Sequence, residues 1–227
     1  MKIISQIATK ASGSLGGITA AHNKGGMYFR ARSSPTNPAS PAQQIVRNAL
    51  KAQAADWSGV LTAAQRTGWT VYATNQTLPD AFGEPRQIPP MAMFTRSNVS
   101  RIQAGLVQVL NAPTTYVLPA FTDPTFTLTA ATDTLSTSFT NSDDWATEVG
   151  GAMLLYISRP LSIGINFFKG PWTFLDSIDG ALVPPVSPAS DVAPYNFAAG
   201  NKFFVMVRVT RADGRLSSDR IYSGLAA

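Results

Sequence analysis

The apolar residues of this chain change their period partway along it, and no architecture built from one class of secondary structure accommodates both periods. Between residues 41 and 102 they recur three and four positions apart, as on one face of a helix. From Phe121 to the end they alternate with polar residues, as in strands. With 227 residues, 44% of them hydrophobic, the chain has enough material for a core in one large or two small domains. The fold class expected is α+β and multidomain. A β-arm or hairpin and a small helical module come first, and an all-β sandwich of the immunoglobulin type follows.

Local signals set the helix ends. Ser40 can cap a helix whose first residue is Pro41, where a missing N–H costs nothing. Ile45, Val46, Ala49, Leu50 and Trp57 then mark a helix over about residues 41–56, which Gly59 ends. Thr62 and Gln65 have capping-box spacing, opening a second helix with Trp69, Val71 and Tyr72. Trp57 and Trp69 are expected to pack between these two helices. After a polar, proline-rich loop, Pro90 opens a third helix through Met91, Phe94, Ser97, Val99 and Ile102.

Ahead of the helices lies an acid-free segment. Residues 1–55 hold Lys2, Lys10, Lys24, Arg30, Arg32, Arg47 and Lys51 and no carboxylate. Residues 1–111 carry eleven Lys/Arg against three acids, or +8, and the remainder carries seven against ten, or −3. The first part should therefore seek an acidic protein surface or a polyanion. Ile3 to Thr9 alternates as a strand, and glycines at 13, 16, 17, 25 and 26 punctuate further strand fragments. A two-stranded ribbon alone is marginal in water, so this arm should be completed by its own helices or by a neighbouring subunit. Pro35, Pro38 and Pro41 hold the strap before the first helix extended.

The domain layout expected is an arm over 1–39, a helical anchor over 40–111, a connector over 112–120 and a β-sandwich over 121–227. In the last part, FTLTAAT and TLSTSFT are strands joined around Asp133, GAMLLYISRP is a buried central strand, and INFFKGPWTFLDSI continues the sheet with a bend at Gly170-Pro171. KFFVMVRVTR, the turn Ala212-Asp213-Gly214 and RLSSDRIYSGL close it as a long hairpin. Phe203, Val205, Val207 and Val209 share one face, and Phe204, Met206, Arg208 and Thr210 the other. About seven short strands argue for a sandwich, and the order of features resembles a fibronectin type III domain. Trp145 and Trp172 are both candidates for its core tryptophan.

Signs of chemistry are sparse. Without cysteine there is no disulfide, thiolate or cysteine zinc site, and His22 is the single histidine. Asp143, Asp144 and Glu148 have a spacing that admits calcium but sit in an inter-strand loop. SGSLGG and NKGG lack the strand–loop–helix order of a phosphate-binding loop. The expectation is a binding protein: no enzyme, no cofactor, no metal, and no membrane span, since no run of eighteen apolar residues occurs.

The spacing GG-x3-R-x-R, P-x-NP, Q-x3-R and W-x3-LT-x2-QR-x2-W runs through Gly25-Gly26, Arg30, Arg32, Pro35, Asn37-Pro38, Gln43, Arg47, Trp57, Leu61-Thr62, Gln65-Arg66 and Trp69. Over about residues 13–75 it resembles small structural proteins of tailed bacteriophages. The resemblance implies a virion component made in the host cytoplasm, on the head or its connection to the tail. As a capsid decoration or cement protein it would anchor through its N-terminal half, with Arg30, Arg32, Arg47 and Lys51 meeting acidic surface on the major capsid protein or other virion subunits. Homo-oligomers on a symmetric lattice are expected. Two alternatives are packaged DNA as the partner of the basic half, and a tail role in which sandwich loops 141–151 and 181–196 bind a receptor or carbohydrate.

Overall fold

The computed structural model describes residues 12–23, 26–34, 36–79 and 84–227. The strand expected at residues 3–9 lies outside the described residues. The chain divides into two compact units, Met1–Gln44 and Ile45–Ala227.

The first unit is an antiparallel meander of β1 (Gly13–Leu15), β2 (Ile18–Asn23) and β3 (Gly26–Ala31), in that spatial order. Gly16 turns the chain between β1 and β2 with φ of 56°, a left-handed conformation that glycine adopts without strain. Leu15 pairs with Ile18 beside that turn, and the Arg32 amide donates to Gly17 O at 2.8 Å. An extended strap then leads to α1 (Pro41–Gly59), where the Ser40 hydroxyl accepts from the Gln43 amide at 3.4 Å.

In the second unit, the expected capping box opens α2 (Ala63–Thr74). The Gln65 amide donates to Thr62 Oγ1 at 3.2 Å, and the Thr62 amide donates to Gln65 Oε1 at 2.9 Å. α3 (Pro90–Gln103) follows a two-residue ribbon of β4 (Leu78–Pro79) and β5 (Pro85–Arg86). The two tryptophans do not simply fill a two-helix interface. Both converge on Phe94 of α3, Trp69 edge-on at 5.3 Å and Trp57 tilted at 5.8 Å. Trp69 and Phe94 are fully buried with Met93, whereas Trp57 is half-buried. The third helix is thus the keystone of the aromatic cluster.

Seven strands follow: β6 (Thr125–Thr129), β7 (Thr134–Ser138), β8 (Ala152–Ile157), β9 (Thr173–Asp179), β10 (Ala189–Val192), β11 (Lys202–Thr210) and β12 (Arg220–Leu225). They form two antiparallel sheets of order β10-β7-β6 and β12-β11-β8-β9. Residues 165–172, expected to continue a strand, are irregular, and β9 begins only at Thr173. Leu128, Leu135, Met153, Leu155, Ile157, Phe203, Val205, Val207 and Val209 come from both sheets into one apolar cluster. Trp145 belongs to it, 5.5 Å from Phe139, while Trp172 packs outside it, 4.9 Å from Phe168.

The opposite face of the four-stranded sheet is also apolar. Ala152, Leu154, Tyr156, Met206 and Leu216 form a second cluster, covered by Ala104 and Leu106 just beyond α3. All six residues of β8 are therefore buried, which explains an uninterrupted AMLLYI where a one-sided strand would alternate. The four-stranded sheet thus lies between the three-stranded sheet and the segment that follows α3, and α3 itself is tied to that side through hydrogen bonds of Arg96, Arg101 and Gln103. Residues 112–120 run extended between α3 and β6, held to the body by Gln76 Nε2, which donates to Tyr116 O at 2.6 Å, and by the Arg215 guanidinium, which donates to Val117 O.

Candidate partner-binding surfaces

Arg30 is exposed on β3, opposite Thr19 of β2, and Arg32 is exposed just past the strand end. Two positions apart in extended chain, they project to the same side. Arg47 and Lys51 are exposed on α1, one turn apart, and so share a helix face. The four candidate residues are thus two pairs on two elements. None of these four takes part in the ion pairs that join described residues beyond 120.

The other side of α1 is apolar. Ile45, Val46 and Leu50 are 64%, 45% and 46% exposed, although they continue the side on which Gln53 and Trp57 are covered. The first unit goes further: none of its residues whose burial is described is buried, and Leu15 and Ile18 stand 88% and 53% exposed. The sequence is polar and glycine-rich there, and three short strands supply no face-to-face packing of their own.

Several arginines have structural tasks that the sequence did not reveal. Arg101 is 3% exposed and meets carbonyls on three segments. Its Nε donates to Val107 O at 2.9 Å, and its Nη1 donates to Gly150 O at 2.9 Å and to Arg211 O at 2.6 Å. Burial pulls its pKa down from the ordinary guanidinium value. Arg96 donates to Leu216 O at 3.2 Å and Ser217 O at 2.8 Å, and burial lowers its pKa too. The helical spacing of 96 and 101 from the apolar positions was the only available signal, and arginine there reads as solvent-facing.

The loop acids are absorbed locally. Asp143 accepts from the Thr122 amide at 2.8 Å, and Arg211 pairs with Glu148 at 2.5 Å and Asp144 at 3.5 Å. No group of three metal-ligating side chains occurs among the described residues, and His22 lies on β2 opposite Met27. A cleft of about 450 Å³ opens between α2, the connector and the last hairpin, with Tyr72, Tyr116, Arg215 and Arg220 in its walls. Burial pushes the Tyr72 phenol up to about 12, and both arginines are held by Asp213 and Asp123.

A second group of acids is unneutralised. At the side of the β domain where β9 and β10 approach, Asp191 lies beside Asp176, and Asp191 Oδ2 is buried without a hydrogen-bond partner. Burial, then the neighbouring Asp176 carboxyl, push Asp191 up to about 6. Asp179 ends the same strand, exposed.

No protein-family model matches this chain, and no curated protein matches it. Among solved structures, a family 76 glycoside hydrolase from a bovine Bacteroides thetaiotaomicron strain is similar over 48% of this chain, with 11% identity and a TM-score of 0.34. This chain spans 20% of that enzyme, and a likeness at this level carries no argument about fold or activity.

Proposed function

We propose that this chain is a non-enzymatic structural protein of a tailed-phage virion, a decoration or cement subunit that grips its lattice through the N-terminal unit. The observation that carries this reading is that none of the residues of the first unit whose burial is described is buried. A glycine-rich three-stranded sheet with Leu15 and Ile18 exposed gains stabilisation from whatever surface completes it. Arg30 and Arg32 on that sheet, and Arg47 and Lys51 on α1, suit an acidic surface. The body carried by this arm is the compact second unit, helices and sheets together, rather than a sandwich held at a distance from a helical anchor.

Within that body we read the seven strands as a fibronectin type III-like sandwich. Its support is the topology: lettered A, B, C, C′, E, F and G in chain order, the sheets read E-B-A and G-F-C-C′. A subunit that binds only the assembled shell stabilises it by mass action.

The test is co-sedimentation with capsid shells of the encoding phage, and separately with duplex DNA, over a range of salt. Full-length protein should pellet with shells and a version lacking residues 1–40 should not. Binding to DNA alone, declining steeply with salt, would replace this function with genome contact.

A further inference from the structure

We propose that strand β3 of one copy adds to the edge of strand β9 of a second copy, joining the basic arm of each molecule to the acidic flank of the next. The proposal rests on reading the first unit as a docking arm, and it stands whether or not the lattice is a capsid.

Among the described residues β3 pairs with β2 alone and β9 with β8 alone, so each has a side that no further strand covers. On that side of β9 the Ser177 amide donates to Asp176 Oδ1 at 2.8 Å, a bond within the strand that an incoming strand would replace. Their lengths match, at six and seven residues. The register of β9 against β8 shifts opposite Leu155/Tyr156, and beyond that irregularity residues 176–179 pair regularly. This regular part carries Asp176 and Asp179, with Asp191 of β10 alongside.

Charge decides which edges meet. Pairing β3 with another β3 would set Arg30 and Arg32 against their own copies, and pairing β9 with another β9 would set Asp176 and Asp179 against theirs. Only the mixed pair is complementary. None of the ion pairs among the described residues involves Asp176, Asp179 or Asp191; Asp176 Oδ1 accepts from the Ser177 amide at 2.8 Å and Asp179 Oδ1 from the Ser177 hydroxyl at 3.1 Å, but no cation neutralises them. Asp191 Oδ2 has no hydrogen-bond partner and lies beside the Asp176 carboxyl, an acceptor among like charges that an incoming guanidinium satisfies. Because two different surfaces meet, the contact is heterologous, and repetition closes a ring or runs on as a filament.

The test uses the full-length chain. Sedimentation velocity over a concentration series at low and high salt should show self-association that salt weakens. Arg30→Glu/Arg32→Glu and Asp176→Arg/Asp179→Arg, all at exposed positions, should each weaken it about tenfold or more. Mixing the two variants should restore association, since every arm then meets an edge of opposite charge. In the wild type, amide exchange over residues 176–179 should slow as concentration rises. A wild-type monomer at every concentration, variants that associate like wild type, or a mixture that stays apart would each overturn the contact. If shells bind while the chain shows no self-association, this contact fails and the proposed function survives. If self-association persists while shells are not bound, the reverse holds.

Discussion

Replacing Arg101 with methionine keeps most of the buried stem and deletes the guanidinium that ties α3 to the ends of β8 and β11. The carbonyls of Val107 and Gly150 lose their donors inside the protein, while that of Arg211 loses its shortest donor and keeps the Gly214 amide at 3.0 Å. A buried acceptor left dry costs about 1–3 kcal/mol. Against this, the variant no longer buries a charge that has no carboxylate in contact, and such replacements recover part of the desolvation cost. Water can reach the Val107 carbonyl, whose residue is 81% exposed, but not the others as readily. The net loss expected is about 2–4 kcal/mol, or a fall in Tm of roughly 5–15 °C for a domain of this size. Urea unfolding followed by tryptophan fluorescence measures it, with Trp69 reporting on the helical layer and Trp145 on the sheets. Arg101→Lys keeps the charge without the planar fork that spans three segments, and it should be at least as damaging. A loss below about 0.5 kcal/mol for Arg101→Met would refute the assignment of Arg101 as the pin between the layers.

The helical layer should be indispensable to the β domain. A fragment of residues 113–227 exposes Ala152, Leu154, Tyr156 and Met206, and it should aggregate or bind a dye for apolar surface, whereas residues 41–227 should be soluble and show a single unfolding transition. Asp191 gives a pH signature with a defined sign. Its folded pKa, about 6, lies above the ordinary 3.8, so the stability it contributes is full at pH below about 3.8 and is lost as pH rises through about 6. Asp191→Asn should therefore raise the urea midpoint at pH 7.5 more than at pH 4.5, by no more than about 1 kcal/mol because the group is partly exposed. Equal effects at both pH values would contradict a raised Asp191 pKa.

Much of the local structure was legible in the sequence because its causes are local. Pro41 after Ser40, the Thr62–Gln65 capping box and Pro90 place three helix starts within a residue of where they occur, since each satisfies or dispenses with the first orphan N–H groups. The alternation in KFFVMVRVT likewise separates Phe203, Val205, Val207 and Val209, which face the other sheet, from Met206, buried on the opposite face. Less legible were the partners of the aromatic residues. Trp57 and Trp69 read as a pair within one helical hairpin, but Phe94, in a helix whose apolar stripe reads as weak, is where they meet.

The candidate site divides in the same way. Sequence alone singles out Arg30, Arg32, Arg47 and Lys51, because an acid-free run of 55 residues shows in composition without any fold. Tertiary structure decided which cations are free to meet a partner and which are consumed internally. Arg96 and Arg101 carry the same charge and stand among similar neighbours in the chain, yet both disappear into carbonyl cages contributed by residues up to 121 positions away. It also decided that Asp176 and Asp191, fifteen positions apart, face each other, a juxtaposition set by how β9 and β10 come together from two sheets. Secondary structure, charge segregation and turn positions depend on interactions within a few residues, and the sequence determines them directly. Layer packing, burial of a particular arginine and pairing of two acids depend on contacts between distant segments, whose energies no local window contains.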